Sequence, residues 1–149
     1  MRPYVVSEVR DKYGEVIKKY SPQLVRKVLS VDTARRVKKI LIGVIENGTG
    51  KMAKLDDFSA AGKTGTAQKL DPQGAYSHNK FVASFIGFAP AEDPLIAIVV
   101  VIDEPRPYYY GGVVAAPVFK NVATDVLRYL KTSQNPTGAV ALNEIKHFN

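Results

Sequence analysis

The chain of 149 residues contains no cysteine, no tryptophan and only two histidines, and its longest apolar run is Leu95–Ile102. The absence of cysteine excludes disulfide frameworks and thiolate metal sites. His78 and His147 are far apart in sequence, so neither a metal site nor a cofactor is expected. The apolar run is much shorter than the roughly 20 residues that cross a bilayer, and the N-terminus lacks an apolar signal core. The chain as given is therefore predicted to be soluble.

Acidic residues are scarce in the first part of the chain. The net charge is +7, but residues 1–54 carry +8 and the remainder −1. Such a basic region is compatible with a nucleic-acid-binding module built on a helix from Val31 to Glu46. Its cations lie mostly on a predicted helix face and on hairpin strands without interleaved aromatic side chains, which favours an ordinary solvated surface and no nucleic-acid partner.

The first third of the sequence predicts a hairpin followed by a helix. Two β-prone runs, Tyr4–Arg10 and Glu15–Tyr20, flank a turn with Asp11 and Gly14 in favourable positions. Ser30 is the predicted N-cap of a helix that ends near Asn47-Gly48. Its predicted apolar face consists of Ala34, Val37, Leu41, Val44 and Ile45.

Three strands are predicted in the middle of the chain, at residues 58–69, Phe81–Phe88 and Leu95–Ile102. They are joined by a loop at Leu70–Lys80 and a tight connection, which indicates an antiparallel meander. The last run is rich in β-branched residues, as is typical of a strand buried on both faces. Its edge lacks a partner, so the sheet is expected to continue in residues that the chain does not contain.

An irregular loop at Asp103–Gly112 is predicted to lead into a helix with Pro117 near its first turn. This helix should cover the sheet through Phe119, Val122, Ala123, Val126 and Leu130. Residues 132–149 are predicted to be a loosely ordered tail. The expected fold class is α+β, an antiparallel sheet covered by helices, with one domain portion at residues 1–131.

The stretch with the most chemical content is Lys63-Thr64-Gly65-Thr66. Period-2 alternation sends Lys63 to one side of the strand and Thr64 and Thr66 to the other. All three side chains can reach one ligand only if that ligand lies along the edge of the strand, where the backbone of Thr66 can also pair with it. The pattern therefore predicts an anionic ligand bound at a strand edge.

A nucleotide-binding site is an alternative interpretation of the same residues. Gly62-Lys63-Thr64 is similar to the end of a phosphate-binding P-loop, but the first glycine of that motif would fall on Asp57. The motif also needs a helix directly after the lysine. A degenerate P-loop stays an alternative, as does an ordinary polar strand at a sheet edge.

Five segments stand in a recognisable order: Ala61–Gln68 (AGKTGTAQ), Ala83–Pro90 (ASFIGFAP), Val101–Pro105 (VIDEP), Tyr109–Gly112 (YYGG) and Ala115–Phe119 (AAPVF). In this order and spacing they resemble the C-terminal part of the transpeptidase domain of class B penicillin-binding proteins, of the division or sporulation type. The resemblance runs from about Tyr4 to Leu130.

The resemblance implies a fold like that of serine β-lactamases and the activity of a peptidoglycan D,D-transpeptidase. Thr64 and Thr66 would hold the terminal carboxylate of a D-Ala-D-Ala stem peptide or a β-lactam, and Gly65 would let it approach. Lys63 would supply positive potential and order the protons of the site, and the Thr66 N–H would be an oxyanion-hole donor. It further implies an enzyme on the extracytoplasmic face of the membrane, anchored by a helix outside this chain, with divisome proteins as partners.

The family's other two motifs, S-x-x-K and S-x-N, should precede K-T-G. Literal matches occur at Ser77–Lys80 and Ser133–Asn135, but both follow it. The nucleophile must also begin a helix so that the lysine one turn later can take its proton, whereas Ser77 lies between a loop and a strand. The chain therefore resembles a fragment that lacks its catalytic serine, which the missing N-terminal part of the same domain would supply.

Overall fold

A computed structural model describes residues 2–134 of the chain, with side chains up to Lys131. The chain divides into two compact units between Arg35 and Arg36. None of the helices in the described residues combines the length and apolar character needed to cross a membrane.

The first unit contains a two-stranded antiparallel hairpin, β1 (Glu8–Arg10) and β2 (Val16–Lys19). Its turn is closed by Asp11, whose Oδ1 accepts hydrogen bonds from the backbone N–H groups of Tyr13 and Glu15, both at 2.9 Å. Gly14 adopts a φ of 88°, which other residues rarely adopt. The predicted hairpin is confirmed, although both strands are shorter than predicted.

Helix α1 spans Val31–Glu46. The predicted cap is confirmed, because Ser30 Oγ accepts the Thr33 N–H at 3.0 Å. Of the predicted apolar face, only Ile45 is buried, whereas Ala34 and Val37 are exposed. A one-turn 3-10 helix, Lys51–Ala53, follows.

The second unit is built on a three-stranded antiparallel sheet of order β3-β4-β5, with β3 at Ala61–Leu70, β4 at Tyr76–Ala89 and β5 at Ile96–Asp103. The meander was predicted, but β4 begins five residues earlier than expected, inside the predicted loop. The reason is a tight turn in which Asp71 Oδ1 accepts the N–H groups of Gln73 and Ala75 at 3.0 and 2.8 Å. Gly74 completes it with a φ of 84°.

Helices α2 (Gly111–Val114) and α3 (Ala116–Gln134) follow the sheet. Helix α2 was not predicted. Three residues at i, i+4 and i+8 of α3, namely Phe119, Ala123 and Leu127, are buried. The sequence analysis omitted Leu127 and included Val122, which is 42% exposed. Helix α3 continues to Gln134, so the first three residues of the predicted tail are helical; the rest of the tail lies outside the described residues.

The core lies between one face of the sheet and these helices. Phe85 of β4 and Phe119 of α3 are both fully buried, with ring centroids 4.9 Å apart. Alternate residues of β5 pack against the same cluster, among them Ile98 and Val100.

The other face of the sheet is open in the described residues. Ile86, Val99 and Val101 are 57%, 63% and 62% exposed. The prediction that Leu95–Ile102 is buried on both faces is therefore wrong for this chain, because every described helix that contacts the sheet lies on the Phe85 face. The prediction that its strand forms an edge is confirmed, since β5 is the last strand of the described sheet.

We expect Phe119→Ala to lower the free energy of unfolding by about 3–5 kcal/mol, because it removes a fully buried ring and its contact with Phe85. Urea denaturation measures the loss. Val118→Ala, at an exposed position of the same helix, is the matched control and should change stability by no more than about 0.5 kcal/mol. Equal losses in the two variants would contradict this account of the core.

Candidate active site

The Lys63–Thr66 stretch lies in β3, which pairs with β4 on one side and has no strand partner on the other in the described sheet. Thr64 and Thr66 lie opposite Phe85 and Ala83, and Lys63 lies opposite Ile86. Since directly opposed residues share a face, both threonines lie on the helix-covered face, and the Cβ of Lys63 lies on the open face. The predicted alternation and the predicted strand edge are both confirmed.

The end of the Lys63 side chain nevertheless lies beside Thr64. Its Nζ donates to Thr64 O at 3.0 Å and to Thr64 Oγ1 at 3.1 Å. The ammonium therefore lies at the edge of β3, beside a hydroxyl that starts from the opposite face. An ammonium has three hydrogens, so it can donate one more hydrogen bond to a ligand.

Thr64 is also linked to Thr49, which sequence reasoning did not select. The two Oγ1 atoms are 2.9 Å apart. The only available signal was the turn-rich Gly48-Thr49-Gly50, and nothing in the sequence indicated that this turn meets β3. Fifteen residues separate the two threonines, so the contact depends on how the 3-10 helix and the residues before β3 return the chain to the sheet.

Thr66 is held by the start of α2. Its Oγ1 accepts the backbone N–H of Gly111 at 3.1 Å. Because this bond uses a lone pair of the oxygen, the hydroxyl hydrogen stays available for an outside acceptor. Thr66 therefore presents a donor whose position is fixed by the backbone.

Thr49, Thr64, Thr66 and Gly111 border one cavity of about 340 Å³. Its lining combines three hydroxyls, one lysine, two glycines and three apolar or aromatic side chains: Thr49, Lys51, Met52, Thr64, Thr66, Tyr110, Gly111, Gly112 and Val113. Lys51 is a second cation that sequence reasoning missed. A cavity lined by a lysine, hydroxyl donors and apolar side chains suits an anionic group on a partly apolar ligand.

The backbone packs so closely around positions 111 and 112 that only glycine fits there. A Cβ at Gly111 would overlap the carbonyl oxygens of Ser84 and Gly65, and one at Gly112 would overlap the carbonyl oxygen of Thr49. Gly65 is constrained differently, since a Cβ there would overlap Ser84 Oγ on the neighbouring strand. The predicted reason for a glycine at position 65 was space for a ligand along the strand edge. The close contact with Ser84 Oγ is a further reason.

Aromatic rings lie beside this wall. Tyr109 stacks on Phe81 with centroids 4.1 Å apart and an interplanar angle of 12°. The Tyr109 hydroxyl lies 3.2 Å from that of Tyr110, and this hydrogen bond raises the pKa of Tyr109. The segment was predicted only as an irregular loop, and its stacking fixes the approach to α2.

The competing motifs do not form sites of the required kind. Ser77 lies in β4, where its hydroxyl donates to Asn79 Oδ1 at 2.9 Å and accepts the Lys80 N–H at 3.1 Å. Ser77 therefore does not begin a helix, and the prediction that it lies outside a helix is confirmed. Ser133 lies at the end of α3, and Asn135 of its motif is outside the described residues. The P-loop alternative fails because Lys63 lies within β3, which continues to Leu70, so no helix begins directly after the lysine.

We expect Gly111→Ala to lower the free energy of unfolding by about 1–3 kcal/mol, since the methyl group would displace backbone at both Gly65 and Ser84. Gly43→Ala is the control: it lies inside α1, where an added Cβ meets nothing within 4 Å. That variant should gain about 0.5–1 kcal/mol from helix propensity. Urea denaturation of both tests the packing, and a stability gain in Gly111→Ala would contradict it.

Comparison with known proteins identifies the family. The family described as "Penicillin binding protein transpeptidase domain" matches residues 1–124. Stage V sporulation protein D of Bacillus subtilis is 39% identical over 127 residues, which is 84% of this chain and 20% of that protein. The probable peptidoglycan D,D-transpeptidase PenA of Neisseria flavescens is 46% identical over 110 residues, 72% of this chain and 27% of that protein.

Solved structures agree with the sequence relatives. The D,D-transpeptidase domain of a peptidoglycan glycosyltransferase from Eggerthella lenta matches with a TM-score of 0.73 and 34% identity, over 86% of this chain and 28% of that one. Penicillin binding protein 3 from Mycobacterium tuberculosis, complexed with ampicillin, matches with a TM-score of 0.75 and 30% identity, over 85% and 30%. The chain thus spans roughly a quarter of the length of these relatives, and it belongs to the penicillin-binding protein transpeptidase family.

Proposed function

We propose that this chain forms one wall of the active site of a peptidoglycan D,D-transpeptidase. The observation that carries the proposal is the edge of β3, where the Thr64 and Thr66 hydroxyls lie on one face and the Lys63 ammonium comes round to Thr64 Oγ1. Two of the relatives bear the names of D,D-transpeptidases, and one structural neighbour holds ampicillin.

In this proposal the two threonine hydroxyls donate to the terminal carboxylate of a stem peptide or of a β-lactam. Charge-assisted hydrogen bonds of this kind are shorter and stronger than neutral ones. Lys63 and the cavity-lining Lys51 supply positive potential, and the Thr66 N–H serves as one oxyanion donor. The ligand lies along the unpaired edge of β3, so Gly65 adds no side chain at the point of approach.

The nucleophilic serine and its lysine base belong, in our proposal, to the part of the protein that precedes this chain. Two features support it. The chain covers only 20% and 27% of the two relatives, and the open face of the sheet exposes Ile86, Val99 and Val101, which a further part of the domain would cover. The same part would add strands beside β5.

We further propose that the whole protein acts outside the cytoplasm in cell division or sporulation, held by a membrane anchor that is not in this chain and working with divisome proteins. The support is the name of the sporulation protein in Bacillus subtilis and the name of a further relative, the peptidoglycan D,D-transpeptidase FtsI of Buchnera aphidicola. Peptidoglycan is the expected substrate and β-lactams the expected inhibitors.

In the full-length protein, replacing both Thr64 and Thr66 with alanine should slow acylation by a β-lactam by a factor on the order of a hundred or more, because two hydrogen bonds to a charged carboxylate are lost. Stopped-flow acylation by a chromogenic cephalosporin measures it. The double variant with serine at both positions keeps the hydroxyls and should retain most of the rate. Unchanged acylation in the alanine variant would remove the carboxylate role.

The 149-residue chain alone should form no covalent adduct with a labelled penicillin, at Ser77 or at any other serine. Acylation needs an activated serine near the carbonyl together with preorganised oxyanion donors, and loss of one donor already costs roughly a hundred-fold in rate. Intact-protein mass spectrometry decides the point. A stoichiometric adduct that disappears in Ser77→Ala would identify Ser77 as the nucleophile and overturn the fragment proposal.

A further inference from the structure

A cluster of opposite charges lies at the far end of β3 from Lys63. The Lys69 ammonium is 2.9 and 3.0 Å from the two carboxylate oxygens of Asp103 and 2.8 Å from Glu104 Oε1. The hydrogen bond to Glu104, and next the one to Asp103, raises the pKa of Lys69, and the same ammonium lowers the pKa of Glu104. All three hydrogens of the ammonium therefore have acceptors within reach.

Glu104 opens what we call the aromatic segment, residues 104–110, which joins β5 to α2. It has a φ of 48°, in the left-handed region that residues with a side chain rarely adopt, so its conformation depends on the contacts around it. One contact is its N–H, which donates to Phe81 O at 2.9 Å. The other is the ion pair with Lys69.

The aromatic segment is held by β3 at both ends. At its start, Lys69 binds Glu104, and immediately after its end, Gly111 donates its N–H to Thr66 Oγ1. Between them, Tyr109 stacks on Phe81 of β4. Lys69 and Thr66 are three residues apart in β3, whose pairing with β4 shifts register between Gln68 and Leu70, so the backbone of one strand links the two attachment points.

From this arrangement we propose that Lys69 is a positioning residue for Thr66. Its ion pair with Glu104 and Asp103 fixes the start of the aromatic segment, which keeps the Gly111 N–H on the Thr66 oxygen and so directs the Thr66 hydroxyl hydrogen outward. Lys69 itself is not among the residues that line the cavity. The link from Thr66 to a substrate carboxylate rests on the function proposed above, whereas the link from Lys69 to Gly111 does not.

The link to Gly111 is tested in the 149-residue chain by amide hydrogen exchange measured by NMR. In Lys69→Met, the Gly111 N–H should exchange about three to ten times faster, because the ion pair that holds the segment is lost. The N–H of Phe119, which bonds to Ala115 O in α3, should keep its rate within about twofold. Lys69→Arg, which keeps the charge, should restore most of the protection at Gly111.

Lys120→Met is the matched control, since it removes another ion pair at the surface, with Asp56 at 3.2 Å, and neither partner belongs to the aromatic segment. It should leave Gly111 unchanged. An unchanged Gly111 rate in Lys69→Met would overturn the proposal, because the ion pair of Lys69 would then not hold the aromatic segment. An equal rise at Gly111 and Phe119 would also overturn it, because Lys69 would then only stabilise the fold.

A double-mutant cycle in the full-length enzyme tests the consequence for the site. Lys69→Met should slow β-lactam acylation several-fold in the wild type and have little further effect once Thr66 is alanine, because Lys69 acts through Thr66. Equal effects in both backgrounds would contradict it. If Thr66→Ala itself leaves acylation unchanged, the proposed carboxylate role fails, and the exchange experiment alone decides whether Lys69 positions Gly111.

Discussion

The backbone of Gly111 lies against the carbonyl oxygens of Gly65 and Ser84 so closely that no side chain fits between them. Much of the second unit depends on this contact. It joins α2 to the two strands that carry the site, and the Gly111 N–H completes it by donating to Thr66 Oγ1. Helix α3 begins five residues later and brings Phe119 against Phe85. The core and the wall of the cavity are therefore parts of one packing arrangement.

The site is built so that polar groups satisfy one another before any ligand arrives. Thr64 is bonded to Thr49 and Lys63, and Thr66 to Gly111, yet each hydroxyl or ammonium keeps unused hydrogen-bonding capacity. Donors that are already oriented need little reorganisation when charge is placed before them. This preorganisation matters more than the number of contacts, because a threonine free to rotate would lose most of its advantage as an anion donor.

The sequence was informative where a local rule decides the structure. Alternation placed Lys63 opposite to Thr64 and Thr66, and the same Asp and Gly spacing that closes the turn at Asp11 also closes the one at Asp71. The Asp and Gly spacing led to a predicted turn at Asp11 but not at Asp71. The predicted β4 was therefore too short. The contacts of Thr49 and Gly111 could not be predicted, since they join positions 15 and 45 residues away in sequence through tertiary packing.

A different failure concerns β5. Its β-branched run is typical of a strand covered on both faces, but Val99 and Val101 are exposed here. The pattern agrees with the proposal that a further part of the domain covers this face. The same holds for α1, where Val37 lies on the apolar stripe and is exposed in the described residues.

The most direct test of the central claim is a crystal structure of the complete transpeptidase domain acylated by a penicillin. The account predicts that the carboxylate of the bound drug lies about 3 Å from both Thr64 Oγ1 and Thr66 Oγ1, along the free edge of β3. A carboxylate bound elsewhere, with both hydroxyls making no contact to the drug, would contradict it.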